Sequence, residues 1–157
     1  MKQYDIDGEK YLIIINVTEF TNLPNREGTE SDMLRIQNIF AEIYDVQLLG
    51  VLQGFVSKND AKIKIKDLSD ELKSMDPKLL VMIFMSHGKQ YDMIHFSDSA
   101  IYLLKLIEPL LMNEKLASIP KLLLVQLCRG EDLNGTAIVD SAQSSKKYNL
   151  QEMIYIY

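Results

Sequence analysis

One cysteine, Cys128, occurs in the 157 residues, so no intrachain disulfide can form. The chain has neither the pattern of a secretory signal peptide nor an apolar run long enough to span a bilayer. The simplest location is therefore the cytosol, and no membrane partner is implied. Histidine is nearly as scarce, with only His87 and His95. No cluster of residues has metal-ligand spacing, no glycine loop could cradle a phosphate, and no dinucleotide fingerprint is present, so neither a metal nor a cofactor is expected. Positive charge is also in deficit. A net charge of −5 gives no reason to propose nucleic acid or an anionic membrane as a partner. Internal repeats and low-complexity segments are missing, and nothing supports a second domain.

What is present has an ordinary globular composition, 47% hydrophobic and 25% charged. A single domain of this length buries about 70% of its unfolded surface. Its organising stretch is Lys121–Gly130, KLLLVQLCRG. Leu122–Val125 is apolar without alternation, the mark of a strand covered on both faces in a parallel sheet. The run breaks at Gln126 and leads to Cys128. Ligands of open parallel sheets bind beyond the carboxyl ends of the strands, so a thiol there is a candidate nucleophile. A buried free cysteine is the competing reading. Leu79–Met85, LLVMIFM, is a second such strand and ends in Ser86–His87–Gly88. Two parallel strands ending level would set His87 and Cys128 on one rim.

In chain order, residues 1–10 read as a polar, flexible segment. Tyr11–Val17 reads as a central strand, and 18–28 as a loop rich in Asn, Pro and Gly. Residues 29–44 are expected as a helix with Thr29 as N-cap and a buried stripe of Met33, Ile36, Phe40 and Ile43. A strand over 46–52 and a helix over 60–75 follow, the helix turning Ile65, Leu68, Leu72 and Met75 inward. Residues 89–99 read as irregular, with His95 an exposed or packed residue rather than a ligand. Residues 100–112 read as a third helix, kinked or divided at Pro109. After the Cys128 strand come a loop over 131–149 and a short apolar end, Met153–Tyr157. Strands alternating with helices predict an α/β three-layer sandwich, with a mostly parallel central sheet of about five strands and helices on both faces.

The segments SHG (86–88) and QLCRG (126–130) resemble the SHG and QACRG motifs of the caspase family of cysteine proteases, with Leu127 in place of alanine. Cys128 follows its histidine by 41 residues, against about 50 in that family. A third segment, RxGTxxD at Arg26–Asp32, resembles the family's arginine-bearing loop. The resemblance extends from Tyr11 to Tyr157. One departure lies after the histidine, where the family's glycine-rich hairpin is replaced by KQYDMIHFSDS.

The resemblance implies a His87/Cys128 dyad, with a thiolate nucleophile and an imidazole that activates it and protonates the leaving amine. It implies an oxyanion hole from the backbone N–H groups of Gly88 and Cys128, and the carbonyl of Pro24 as the group orienting His87. Arg26 and Gln126 would line a pocket for the substrate aspartate. Read without the motif, Arg26 is a solvated loop residue and Gln126 a strand-end cap. Arg129 reads as a local anchor. Asp7 and Asp140 are expected processing sites, although an ordinary solvated tail around Asp7 remains open. The resemblance makes 131–149 the intersubunit linker and 153–157 the start of a truncated small subunit. No death-fold recruitment domain fits in the ten residues before the first strand. The expected partners are protein substrates carrying aspartate and a small subunit or caspase-like partner, with a homodimer as a variant. Two functions are implied. One is an aspartate-directed endopeptidase of programmed cell death, inactive as this chain alone; the other is a non-catalytic, caspase-like regulator that pairs with an active enzyme.

Overall fold

The apolar runs form the centre of one sheet. The computed structural model describes residues 3–89, 92–129 and 153–156, with 89, 128, 129 and 153–155 described by their backbone alone. Strand β1 (Lys10–Glu19) leads to helix α1 (Thr29–Glu42), β2 (Gln47–Phe55), α2 (Lys58–Leu72) and β3 (Leu79–Lys89). Two short strands, β4 (Met93–His95) and β5 (Ala100–Tyr102), precede the short helices α3 (Leu103–Leu106) and α4 (Glu108–Leu111). A single 3₁₀ turn, Glu114–Leu116, then leads to β6 (Lys121–Arg129) and β7 (Met153–Ile156). Five strands are parallel in the spatial order β2-β1-β3-β6-β7, as expected. Strand β4 adds antiparallel to β3 at Gly88 and Lys89, beyond Met85, where the pairing with β1 ends.

Alternate residues of each central strand enter two separate cores. Ile13, Ile15, Met82, Phe84 and Leu123 pack with Ile65 and Leu68 of α2, Leu106 of α3 and Leu110 of α4. Leu12, Ile14, Val81, Ile83 and Met85 pack on the other face with Met33 of α1. Because both faces are covered, these strands carry no polar alternation. A buried polar junction fixes α4 against α2. Asn113 Nδ2 donates to the Ser69 carbonyl at 2.8 Å, and Ser69 Oγ donates to the Pro109 carbonyl at 2.8 Å.

Several local expectations change. Thr29 is the first helical residue of α1 rather than its cap; Gly28 precedes it at φ 75 with no capping side chain. Ile43 lies past the helix and is 69% exposed, so the buried stripe ends at Phe40. The second helix starts earlier, at Lys58, because Ser57 accepts the Asp60 N–H. Met75 lies beyond that helix but still packs on the core. Lys10, expected in the flexible segment, opens β1 opposite Leu79. The irregular stretch after His87 holds β4, and a left-handed Asp92 (φ 59) stands just before it, a conformation that aspartate tolerates better than most residues. The expected third helix is a strand and two helical turns. Ala100–Tyr102 pairs with β4, and Pro109 sits in the first turn of α4, where a missing N–H costs nothing. The linker 131–149, Asp140 within it, and Tyr157 lie outside the described residues.

Candidate active site

The carboxyl ends of β1, β3 and β6 converge on the site. Cross-strand register places Asn16, Met85 and Gln126 in one row across the three strands. Two residues further on, His87 and Cys128 are register partners. Neighbouring strands lie about 4.8 Å apart, so the histidine and cysteine backbones are adjacent at the rim.

His87 is held by the loop between β1 and α1. Its Nε2 lies 2.8 Å from the Pro24 carbonyl oxygen. A carbonyl can only accept, so Nε2 carries the proton of this bond, and in the neutral ring Nδ1 keeps the lone pair. Phe20 packs on the same imidazole, ring centroids 4.7 Å apart and planes tilted by 48°. The loop is closed internally. Phe20 N–H donates to Asn25 Oδ1 at 3.0 Å, and Arg26 N–H to the Thr18 carbonyl at 2.8 Å. It is braced from outside by Thr21 N–H, which donates to the Ser97 carbonyl at 2.8 Å. Ser97 is buried and its Oγ accepts the Val56 N–H at 2.7 Å. On β3 itself, buried Ser86 donates its hydroxyl to the His95 carbonyl and so ties β4 to the rim. His95 is half-buried in β4.

Arg26 is half-buried rather than a solvated loop side chain. Its Nη1 donates to the Val17 carbonyl at 2.9 Å and to Asn16 Oδ1 at 3.1 Å. Asn16 is fully buried, and its Nδ2 donates to Thr29 Oγ1 at 3.2 Å at the start of α1. Gln126 is exposed at the far end of the same row. It lines an open cleft of about 470 Å³ with Asp32 and Arg35 of α1, Met85 of β3 and Ile156 of β7.

Gly88 has a packing reason of its own. A Cβ built on it would meet Leu127 Cβ at 2.6 Å, closer than side-chain atoms approach. Arg129 is its register partner on β6. Asp7 is exposed ahead of β1, its N–H bonded to Asp5 Oδ1 at 3.0 Å, and is not near the rim strands' carboxyl ends. Lys121 stands at the opposite end of β6 and is only 3% exposed; burial pushes its pKa down to about 8. Its ammonium donates to the Ile119 carbonyl at 2.9 Å. Among the described residues, no three His, Cys, Asp or Glu side chains could hold a metal ion, and no helix is long and apolar enough to cross a membrane.

Asn16, Phe20, Asn25 and Ser97 were not legible as site residues. For Asn16 a signal existed, a lone amide ending the apolar run YLIII; Phe20 and Ser97 are recruited by contacts between distant segments.

A sequence model of the caspase domain matches residues 9–157. Cell death protein 3 of Caenorhabditis remanei is 32% identical over 135 residues, which is 82% of this chain and 25% of that protein. Caspase-1 of Sus scrofa is 32% identical over 149 residues, 88% of this chain and 35% of its own length. Caspase-10 of Homo sapiens is 24% identical over 135 residues, 82% of this chain and 25% of its own length. The chain thus spans about a quarter to a third of the length of these relatives. With a domain match over nearly its whole length and a parallel sheet presenting His87 beside Cys128, the chain belongs to the caspase family.

Proposed function

We propose that this chain is the large-subunit portion of a cysteine endopeptidase that cleaves after aspartate, with Cys128 as nucleophile and His87 as acid and base. The observation that carries the reading is the placement of His87, register partner of Cys128 and bonded through Nε2 to the Pro24 carbonyl. Nδ1 is then the nitrogen that exchanges the proton. The thiolate sulfur forms a bond to the scissile carbonyl carbon while the Cys128 and Gly88 N–H groups receive the oxyanion. The C–N bond breaks as Nδ1–H gives its proton to the leaving amine. Water then attacks the thioester, losing its proton to Nδ1, and the sulfur leaves as thiolate. Arg26 and Gln126 receive the aspartate carboxylate, a role supported by the half-buried guanidinium on the same loop as Pro24.

The remaining substrate groove is supplied by a small subunit, in a zymogen cut at Asp140 and Asp7. The apolar cleft between α1, β6 and β7 supports a partner element on that side of the sheet. A role in programmed cell death rests on the likeness to Cell death protein 3. Turnover of aspartyl and asparaginyl peptides, measured with a caspase small subunit supplied in trans, tests the reading. Aspartyl peptides are expected to be cut and Cys128→Ala to abolish cutting. No turnover in the assembled pair, with the chain instead suppressing an active caspase, would overturn it in favour of the regulatory role.

A further inference from the structure

The apolar run of β1 ends in a fully buried amide, and burying a polar side chain is costly unless it is bonded. Asn16 is bonded on both sides. Its Oδ1 accepts from Arg26 Nη1 at 3.1 Å, and its Nδ2 donates to Thr29 Oγ1 at 3.2 Å, with Met33 Sδ at 4.0 Å. We infer that Asn16 is a positioning residue for Arg26 and thereby sets the preference for an anionic substrate side chain. The inference rests on the proposed aspartate pocket and adds to it the device that aims the arginine.

Charge matters here as well as geometry. Arginine has many rotamers, and ordering a long side chain costs entropy that a rigid acceptor removes in advance. Two neutral oxygens, Asn16 Oδ1 and the Val17 carbonyl, both grip Nη1. They hold the guanidinium against the strand and bring no negative charge of their own. An aspartate at position 16 would have nearly the same shape and would accept the same bond, but it would cancel the charge. Asparagine therefore holds the arginine without adding a carboxylate beside it. Thr29 in turn locks the amide, since the hydroxyl oxygen accepts from Nδ2 and so fixes which end of Asn16 faces the arginine. The first residue of α1 and the pocket arginine are thus joined through one buried side chain.

The test has two arms. In the chain as it stands, the Arg26 Nη resonances, assigned with Arg26→Lys, are expected to be separately resolved, because Nη1 rotation is blocked. Asn16→Ala should speed their exchange, since only the Val17 carbonyl then holds Nη1, and Asn16→Asp should keep them apart. Unchanged resonances in Asn16→Ala would overturn the positioning role, whatever the enzyme does. In the chain assembled with a small subunit, Asn16→Asp is expected to lower the preference for aspartyl over asparaginyl peptides by about 100-fold, the scale on which desolvated charge pairs act. The loss should fall on KM for aspartyl peptides. Should Asn16→Asp not fold, Asn16→Ser, which keeps a neutral acceptor but shortens it, is expected to lower the same ratio less. Full preference in the Asn16 variants while Arg26→Gln abolishes it would sink the inference and leave the pocket standing. Full preference in Arg26→Gln itself would instead remove the pocket assignment.

Discussion

Phe20 and His87, 67 residues apart in the chain, share a ring contact at 4.7 Å that fixes one face of the imidazole while the Pro24 carbonyl fixes its edge. Both restraints come from one loop, and Asn25 closes that loop on the Phe20 backbone. Phe20→Ala removes a ring pair worth about 0.5–1.5 kcal/mol beyond its buried area. The expected outcome is slower alkylation of Cys128 by iodoacetamide near neutral pH, in the direction of His87→Ala but smaller. Asn25→Ala should act the same way. Equal rates in wild type, Phe20→Ala and His87→Ala would show that the loop does not govern the thiol.

Gly88→Ala is expected to destabilise the fold by about 1–3 kcal/mol, the usual cost of overpacking. The nearest atom to the added methyl is Leu127 Cβ at 2.6 Å, ahead of Leu127 Cδ1 at 3.0 Å. Shortening Leu127 to alanine therefore leaves the clash in place, whereas Leu127→Gly removes it. Urea titrations should find Gly88→Ala as costly in a Leu127→Ala background as in wild type, and cheaper in Leu127→Gly. Relief by Leu127→Ala would contradict the strand geometry.

Lys121 makes stability rise with pH. Its pKa lies at about 8 in the folded chain because burial disfavours the ammonium, against 10.5 for an exposed lysine. Above pH 8 the folded chain has lost a proton that the unfolded chain still holds, so stability increases toward pH 10. Beyond that, Tyr11 works the other way, since its raised pKa, mainly from burial, lets the unfolded chain ionise first. One pKa unit corresponds to about 1.4 kcal/mol, so Lys121→Met should stabilise the chain by up to about 3 kcal/mol at pH 7. Denaturant midpoints at pH 7, 8, 9 and 10 should climb for wild type and stay flat for the variant. Parallel pH profiles would refute the assignment.

The cleft beside α1 gives a prediction about partners. Ile39 lines it and is 46% exposed, whereas Leu34, on the same helix and 53% exposed, does not line it. Ile39→Glu is expected to weaken association with a small subunit by about tenfold or more, equivalent to about 1.4 kcal/mol. Leu34→Glu should leave it unchanged. Sedimentation of the mixed chains measures both, and equal weakening would show that partner binding does not use the cleft.

The sequence alone determined the central strands, their burial on both faces, and the residues at their carboxyl ends. It could do so because unbroken apolar runs have one favourable environment, and because LLVMIFMSHG and KLLLVQLCRG each stop abruptly in polar groups. Short elements were less legible. Ala100–Tyr102 has a helix-compatible pattern, yet pairing with β4 makes it a strand, since cross-strand bonds outweigh local propensity over three residues. Ile43 fits the helical period but is the C-cap residue of α1 and 69% exposed. Only the tertiary structure decided how the rim is held. The carbonyl at His87, the phenyl ring against it and the amide under Arg26 come from segments whose separation along the chain carries no periodic signal. They meet because parallel register sets the ends of β1, β3 and β6 side by side.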